Sequence, residues 1–347
     1  MRNKFFKKTK KKKRKKYKLQ KIRKMIKLLI INKDKIYKFI PKISVILIFI
    51  VFISFVGFFH SMFQTREIYI LDLKDLKHKH KISYNLNEEI TLVSSYFQVK
   101  SKFSHQDYLN WINNYLQINS AMIFFTEKSN IQELIDKRPK EYSNKTIWVT
   151  LNIDDFYSYN NYFKEFNDTY DKDIEKNINS VPLYLVLAEK INFLKMATKK
   201  NFFHSKCFYW VDAGCFRDSS KIKNYMNNWP STEKCYKDGR IIINEIVQHN
   251  QKVKEGLKNF DIEIYNNFQR ARSVDTSIFG GQKRYIYKFF DLYYNTLKKF
   301  IKHEIFIGNE KIIFTYISYF YSNIAKLVYS GYYFHFQDYL SQNYNKQ

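Results

Sequence analysis

The sequence predicts an α/β domain around a mixed, largely parallel sheet flanked by helices, preceded by one transmembrane helix. Three observations predict it. Residues 43–59, ISVILIFIVFISFVGFF, carry no charged side chain. From Thr91 onward, short β-rich runs alternate with helical stretches, the order that wraps helices onto a parallel sheet. The β runs are continuously apolar rather than alternating, which fits strands covered on both faces.

The elements follow in order. Residues 1–42 form a basic tail: of the formal charge of +28, +19 lies there and +9 in all the rest. The dense block Lys7–Lys18 has two readings, a phosphate-backbone contact or a seat on anionic cytosolic lipid. Its position beside an apolar run favours lipid, and no nucleic acid partner is expected. The transmembrane helix covers 43–63, long enough at 1.5 Å per residue to cross a hydrocarbon core. Its length, its long basic flank and the lack of small-residue cleavage chemistry argue against a signal peptide. The charge asymmetry puts the N-terminus in the cytosol and the body in a lumen or outside the cell. Two acceptor sequons, Asn144-Lys145-Thr146 and Asn167-Asp168-Thr169, fit that side.

Residues 64–89 are polar without a sustained period and read as a stem. The body, 90–347, then opens with the strand Thr91–Phe97. A helix follows over 105–118, with Tyr108, Trp111, Ile112, Tyr115 and Leu116 at helical spacing. Strands are read at Ala121–Thr126 and Thr146–Leu151, with a short helix over 130–138 between them, ended by Pro139. Residues 152–180 form a long, partly helical excursion and 183–200 a helix. Phe208–Val211 and Ile241–Ile243 are buried strands. Residues 219–228 read as a helix ended by Trp229-Pro230, and 285–301 and 310–329 as helices. Ser277–Gly281 is an apolar run meeting a glycine pair.

Three cysteines, Cys207, Cys215 and Cys235, make no disulfide framework. One bridge involving Cys235 and buried free thiols are both open readings. There is no Cys/His metal spacing, no Gly-x-x-x-x-Gly-Lys-Ser/Thr loop, no Gly-x-Ser-x-Gly elbow and no His-Glu-x-x-His motif.

The chemistry concentrates in Cys207-Phe208-Tyr209-Trp210-Val211-Asp212-Ala213-Gly214-Cys215-Phe216-Arg217. An acid at the carboxyl end of a buried strand stands where open α/β sheets hold ligands. Arg217 follows within reach of the same crevice and suits phosphate. The plainer reading is a strand ended by an Asp-Ala-Gly turn whose Asp caps the next helix.

These residues bring in a resemblance. Thr91-Leu92-Val93, Tyr96-Phe97, Tyr108, Trp111, Ile123–Thr126, Glu189-Lys190 and Asn201-Phe202 lead up to the Phe208–Arg217 run. Trp229-Pro230 and Ile278-Phe279-Gly280-Gly281 follow it. In that order and spacing they resemble the bacterial HtrL/YibB-like family over about residues 91–329. The resemblance implies a Rossmann-like GT-A-type fold and a single-span membrane glycosyltransferase, taking a nucleotide-sugar donor and a glycan or other hydroxyl acceptor. It implies Asp212 as ligand of Mn²⁺ or Mg²⁺, and Lys190 and Arg217 as nucleotide and phosphate contacts. Gly280 and Gly281 would form a turn against the substrate, and Glu310 would be a catalytic base. Two departures stand out. Gly214 occupies the second position of the usual Asp-x-Asp pair. Gly308-Asn309-Glu310-Lys311 replaces a Gly-x-Asp-Gln segment. Both leave room for the rival expectation, a non-catalytic, membrane-tethered glycan- or protein-binding relative.

Overall fold

The computed structural model describes residues 20, 22–23, 68–77, 86–227, 229–268, 273–332 and 335–341. The chain divides between Thr65 and Arg66, and all that follows lies in Arg66–Gln347. The expected span 43–63 and nearly all of the basic tail fall outside the described residues. Among the described residues, no helix is long and apolar enough to cross a membrane.

The described strands are β1 (Tyr69–Asp72), β2 (Ile90–Tyr96), β3 (Ala121–Thr126), β4 (Thr146–Thr150), β5 (Cys207–Val211), β6 (Ile241–Glu245), β7 (Val274–Gln282) and β8 (Ala325–Tyr329). They form one sheet in the order β1-β4-β3-β2-β5-β7-β6-β8. From β1 to β5 every pair is parallel. β7 runs antiparallel to both β5 and β6, and β8 pairs parallel with β6.

Continuous apolar strands are buried on both faces, as the sequence predicts. On β5, Phe208 and Trp210 enter one core, while Cys207, Tyr209 and Val211 enter the other. β3 divides likewise, Ile123 and Phe125 against Met122 and Phe124. The first core is closed by the helices Tyr157–Asp168, Val181–Lys200, Lys283–Lys302 and Glu310–Phe320, the second by His105–Tyr115 and the C-terminal Phe336 and Leu340.

The helix Val181–Lys200 shows how sequence sets an element. Ser180 caps its start by accepting from the Leu183 N–H, and Pro182 lies in its first turn. Asn201 ends it with φ 45°, the left-handed turn that Asn tolerates. The Asn201 side chain then accepts from the Ser205 N–H at 2.7 Å and aims the chain into β5.

Three expectations are corrected. The stem contains β1 and the helix Leu73–Lys77, held because Leu71 and Leu73 bury themselves in the first core. The helix read over 310–329 stops at Phe320 and the chain re-enters the sheet as β8. The helix read over 219–228 is a single 3₁₀ stretch, Ser219–Asn224. Cys207 and Cys235 form a disulfide, and Cys215 is a buried free thiol.

Candidate functional site

From β2 the chain steps outward through β3 and β4. It then returns through Val181–Lys200 to β5, on the other side of β2. Two neighbouring parallel strands whose connections leave in opposite directions open a crevice at their carboxyl ends. A cleft of about 1120 Å³ lies there, lined by Tyr96–Phe103 after β2 and Asp212–Gly214 after β5. Residues 173–175 and Gly308–Lys311 complete its walls.

Three residues singled out separately in the sequence meet on its floor. Lys190 Nζ lies 2.9 Å from Asp212 Oδ1 and 3.3 Å from Glu310 Oε1. It also donates to Asp212 Oδ2 at 3.0 Å. Trp210 Nε1 donates to Asp212 Oδ1 at 2.6 Å, and the Thr276 hydroxyl donates to Glu310 Oε1 at 2.7 Å. The Lys190 side chain is 3% exposed. Burial alone works against its charge, but Asp212 and Glu310 outweigh it and hold its pKa above the ordinary lysine value. The Asp212 side chain keeps 31% of its surface open to the cleft. Even so, desolvation is the largest influence on its carboxyl and pushes it up, against Lys190 and Trp210.

Glu310, the expected general base, is paired with Lys190. Burial raises its carboxyl, but Lys190, Lys311 and Thr276 together hold it below the ordinary glutamate value. A carboxylate so held is a weak proton acceptor. Its Oε1 accepts from Lys190 Nζ. Glu189, beside Lys190 in sequence, points elsewhere. Its oxygens accept from the Tyr157 N–H at 3.0 Å and the Ser158 N–H at 2.8 Å, capping the helix Tyr157–Asp168 across from its own.

Arg217 is exposed and lines the cleft. Its guanidinium carbon lies 4.5 Å from the Phe103 ring centre and 4.2 Å from that of Trp111. Its Nε donates to the Gly214 carbonyl at 3.1 Å. Stacking on two rings fixes the guanidinium plane at the cleft wall.

Gly280 and Gly281 are not brought to the cleft. They sit inside β7, opposite Tyr209 and Phe208 of β5. A Cβ on Gly280 would stand 2.2 Å from the Phe208 carbonyl oxygen. The glycine pair lets strand backbones approach closely; it is no turn against a substrate.

The antiparallel course of β7 supplies an acid that the sequence reading missed. Because β7 starts where β5 ends, Asp275 arrives beside Asp212, and the Asp212 N–H donates to the Ser277 carbonyl at 2.7 Å. Asp275 is buried, which pushes its carboxyl up, and it accepts from the Ser277 N–H and hydroxyl at 3.0 and 2.7 Å. The signal was an acid two residues ahead of an apolar run, and only strand direction turns it toward the site.

The residues present do not fit a resident divalent ion. Both Asp212 oxygens are engaged by Lys190, and one also by Trp210. Among the described residues, no group of three or more His, Cys, Asp or Glu side chains is arranged to hold a metal. A Cβ on Gly214 would lie 3.1 Å from ring carbons of both Tyr108 and Trp111.

Compared with known proteins, the chain matches no family model and no curated protein sequence.

Proposed function

We propose that this protein is a single-span membrane glycosyltransferase of the HtrL/YibB-like, GT-A-type kind, moving a sugar from a nucleotide-sugar donor to a glycan or other hydroxyl acceptor. The observation that carries the reading is the Lys190–Asp212–Glu310 constellation at the carboxyl ends of β2 and β5. That crevice is the general ligand position of doubly wound sheets. A diphosphate laid there would meet Lys190, the ring-stacked Arg217 and Lys311. Aromatic walls from Tyr96, Phe103 and Tyr108 suit a base or a sugar face.

In the reaction, the bond between the donor's anomeric carbon and its diphosphate oxygen breaks. The electron pair leaves with the diphosphate, where fixed positive groups stabilise it. The acceptor hydroxyl oxygen bonds to the anomeric carbon, and its proton passes to a cleft carboxylate. Asp275 suits that role better than Glu310, because burial raises its carboxyl while Glu310 is tied to Lys190.

Placement of the body in a lumen or outside the cell is part of the proposal. The Cys207–Cys235 disulfide supports it, as does the exposure of both sequon residues, Asn144 and Asn167.

The test is Asp212→Asn. It keeps the side-chain shape and an oxygen for Trp210 but turns an amide nitrogen toward Lys190, so the melt should fall yet stay cooperative while transfer falls at least a hundredfold. An Asp212→Asn protein as active as the parent would refute the role.

A further inference from the structure

Sites that hold a diphosphate against buried acids need a cation between the two. Here a cation is already present in covalent form. Lys190 reaches the floor from the middle of the helix Val181–Lys200, with a side chain 3% exposed and its ammonium within 3.3 Å of oxygens from two different elements. Asp212 presents both oxygens to it, and Glu310 is held toward it by Thr276. Such a charge is part of the chain and cannot diffuse away.

The surroundings are built around this ammonium rather than around an ion. The position where a second acid of an Asp-x-Asp pair would stand is Gly214, packed on Tyr108 and Trp111. The same Trp111 ring carries Arg217, so the aromatic shelf beside Gly214 also mounts a second fixed cation. Lys190, Arg217 and Lys311 line the cleft with Asp212, Asp275 and Glu310. With Lys100 and Lys102 on one side and Asp173 and Glu175 on the other, the whole lining sets five basic side chains against five acidic ones.

We propose that the ammonium of Lys190 is the resident cation of this site, standing where a divalent ion would otherwise bridge acid and diphosphate, and that the cleft binds a nucleoside diphosphate without metal. The inference rests on the nucleotide-sugar reading above, and the test separates the two.

Titrate the full chain in detergent with UDP and with GDP, once in EDTA and once in millimolar Mn²⁺. The expected result is binding of at least one nucleotide with affinities within about threefold of each other in the two conditions. Binding that weakens tenfold or more in EDTA would overturn the inference and leave the nucleotide-sugar reading standing. Binding in neither condition would overturn both. Lys190→Gln gives a second readout: at least tenfold weaker binding in both conditions is expected from a variant whose melt is still cooperative. Unchanged binding by such a variant would overturn the proposal. Should the variant not fold, the comparison on the parent chain decides alone.

Discussion

Side chains adjacent in sequence have opposite fates here, and geometry decides which. Glu189 and Lys190 follow each other on one helix, about 100° apart around its axis. One caps a neighbouring helix and the other enters the cleft. Sequence alone showed an acid-base pair and gave no direction to either. Asp212 and Arg217 were legible because a buried strand ending in a polar loop states its own orientation. The roles of Gly280, Gly281 and Glu310 were not, since each depends on a partner far along the chain: Tyr209 and Phe208 for the glycines, Lys190 for Glu310. The glycines give a direct check. Gly280→Ala forces a Cβ against the backbone oxygen of Phe208, and should cost about 3 kcal/mol in urea unfolding. Nucleotide affinity of the protein that remains folded should be unchanged. An affinity loss without a stability loss would restore the substrate-contact reading.

Elements with a strong period or a continuous apolar run were read within a residue or two, as β3 and the helix Val181–Lys200 show. β8 was missed because Ala325–Tyr329 is only partly buried and follows a helix after a short turn. β1 was missed because a single edge strand of four residues leaves little pattern. The first turn of Tyr157–Asp168 has no side-chain cap of its own, so Glu189→Ala leaves its amides unmatched. We expect a loss of about 1–3 kcal/mol in thermal or urea unfolding, with nucleotide affinity unaltered.

The β6–β8 edge carries a pH dependence. Asp238 pairs with Arg240 at 2.5 Å and with Lys326 of β8 at 3.2 Å. The hydrogen bond from Arg240 holds its carboxyl well below the ordinary aspartate value of 3.8. A depressed folded-state pKa adds stability above the unfolded value and loses it as pH falls toward the folded one. Melting temperature should therefore drop on acidification below about pH 4, and drop less in Asp238→Asn. Parallel acid profiles for the two proteins would contradict this.

Across the molecule, one sheet direction change organises everything. Five parallel strands bring β2 and β5 side by side with their carboxyl ends at one crevice, and antiparallel β7 adds Asp275 and Thr276 from the opposite sense. The alternation of strands and helices made the α/β class legible. The reversal at β7 was not, because the run Val274–Gln282 does not itself say whether it lies parallel or antiparallel to β5. The disulfide joins the start of β5 to the helix Thr232–Asp238 and closes the second core at the end of the strand away from the site. The cleft is expected to bind phosphate through cations built from this chain.

The measurement that tests this most directly is calorimetric titration of the full chain with UDP and GDP, beside Arg217→Ala. Arg217 lies on the surface against two rings, so its removal leaves the fold intact. We expect saturable binding of one nucleotide by the parent chain and at least tenfold weaker binding by the variant. A folded parent chain that binds neither nucleotide would contradict the account.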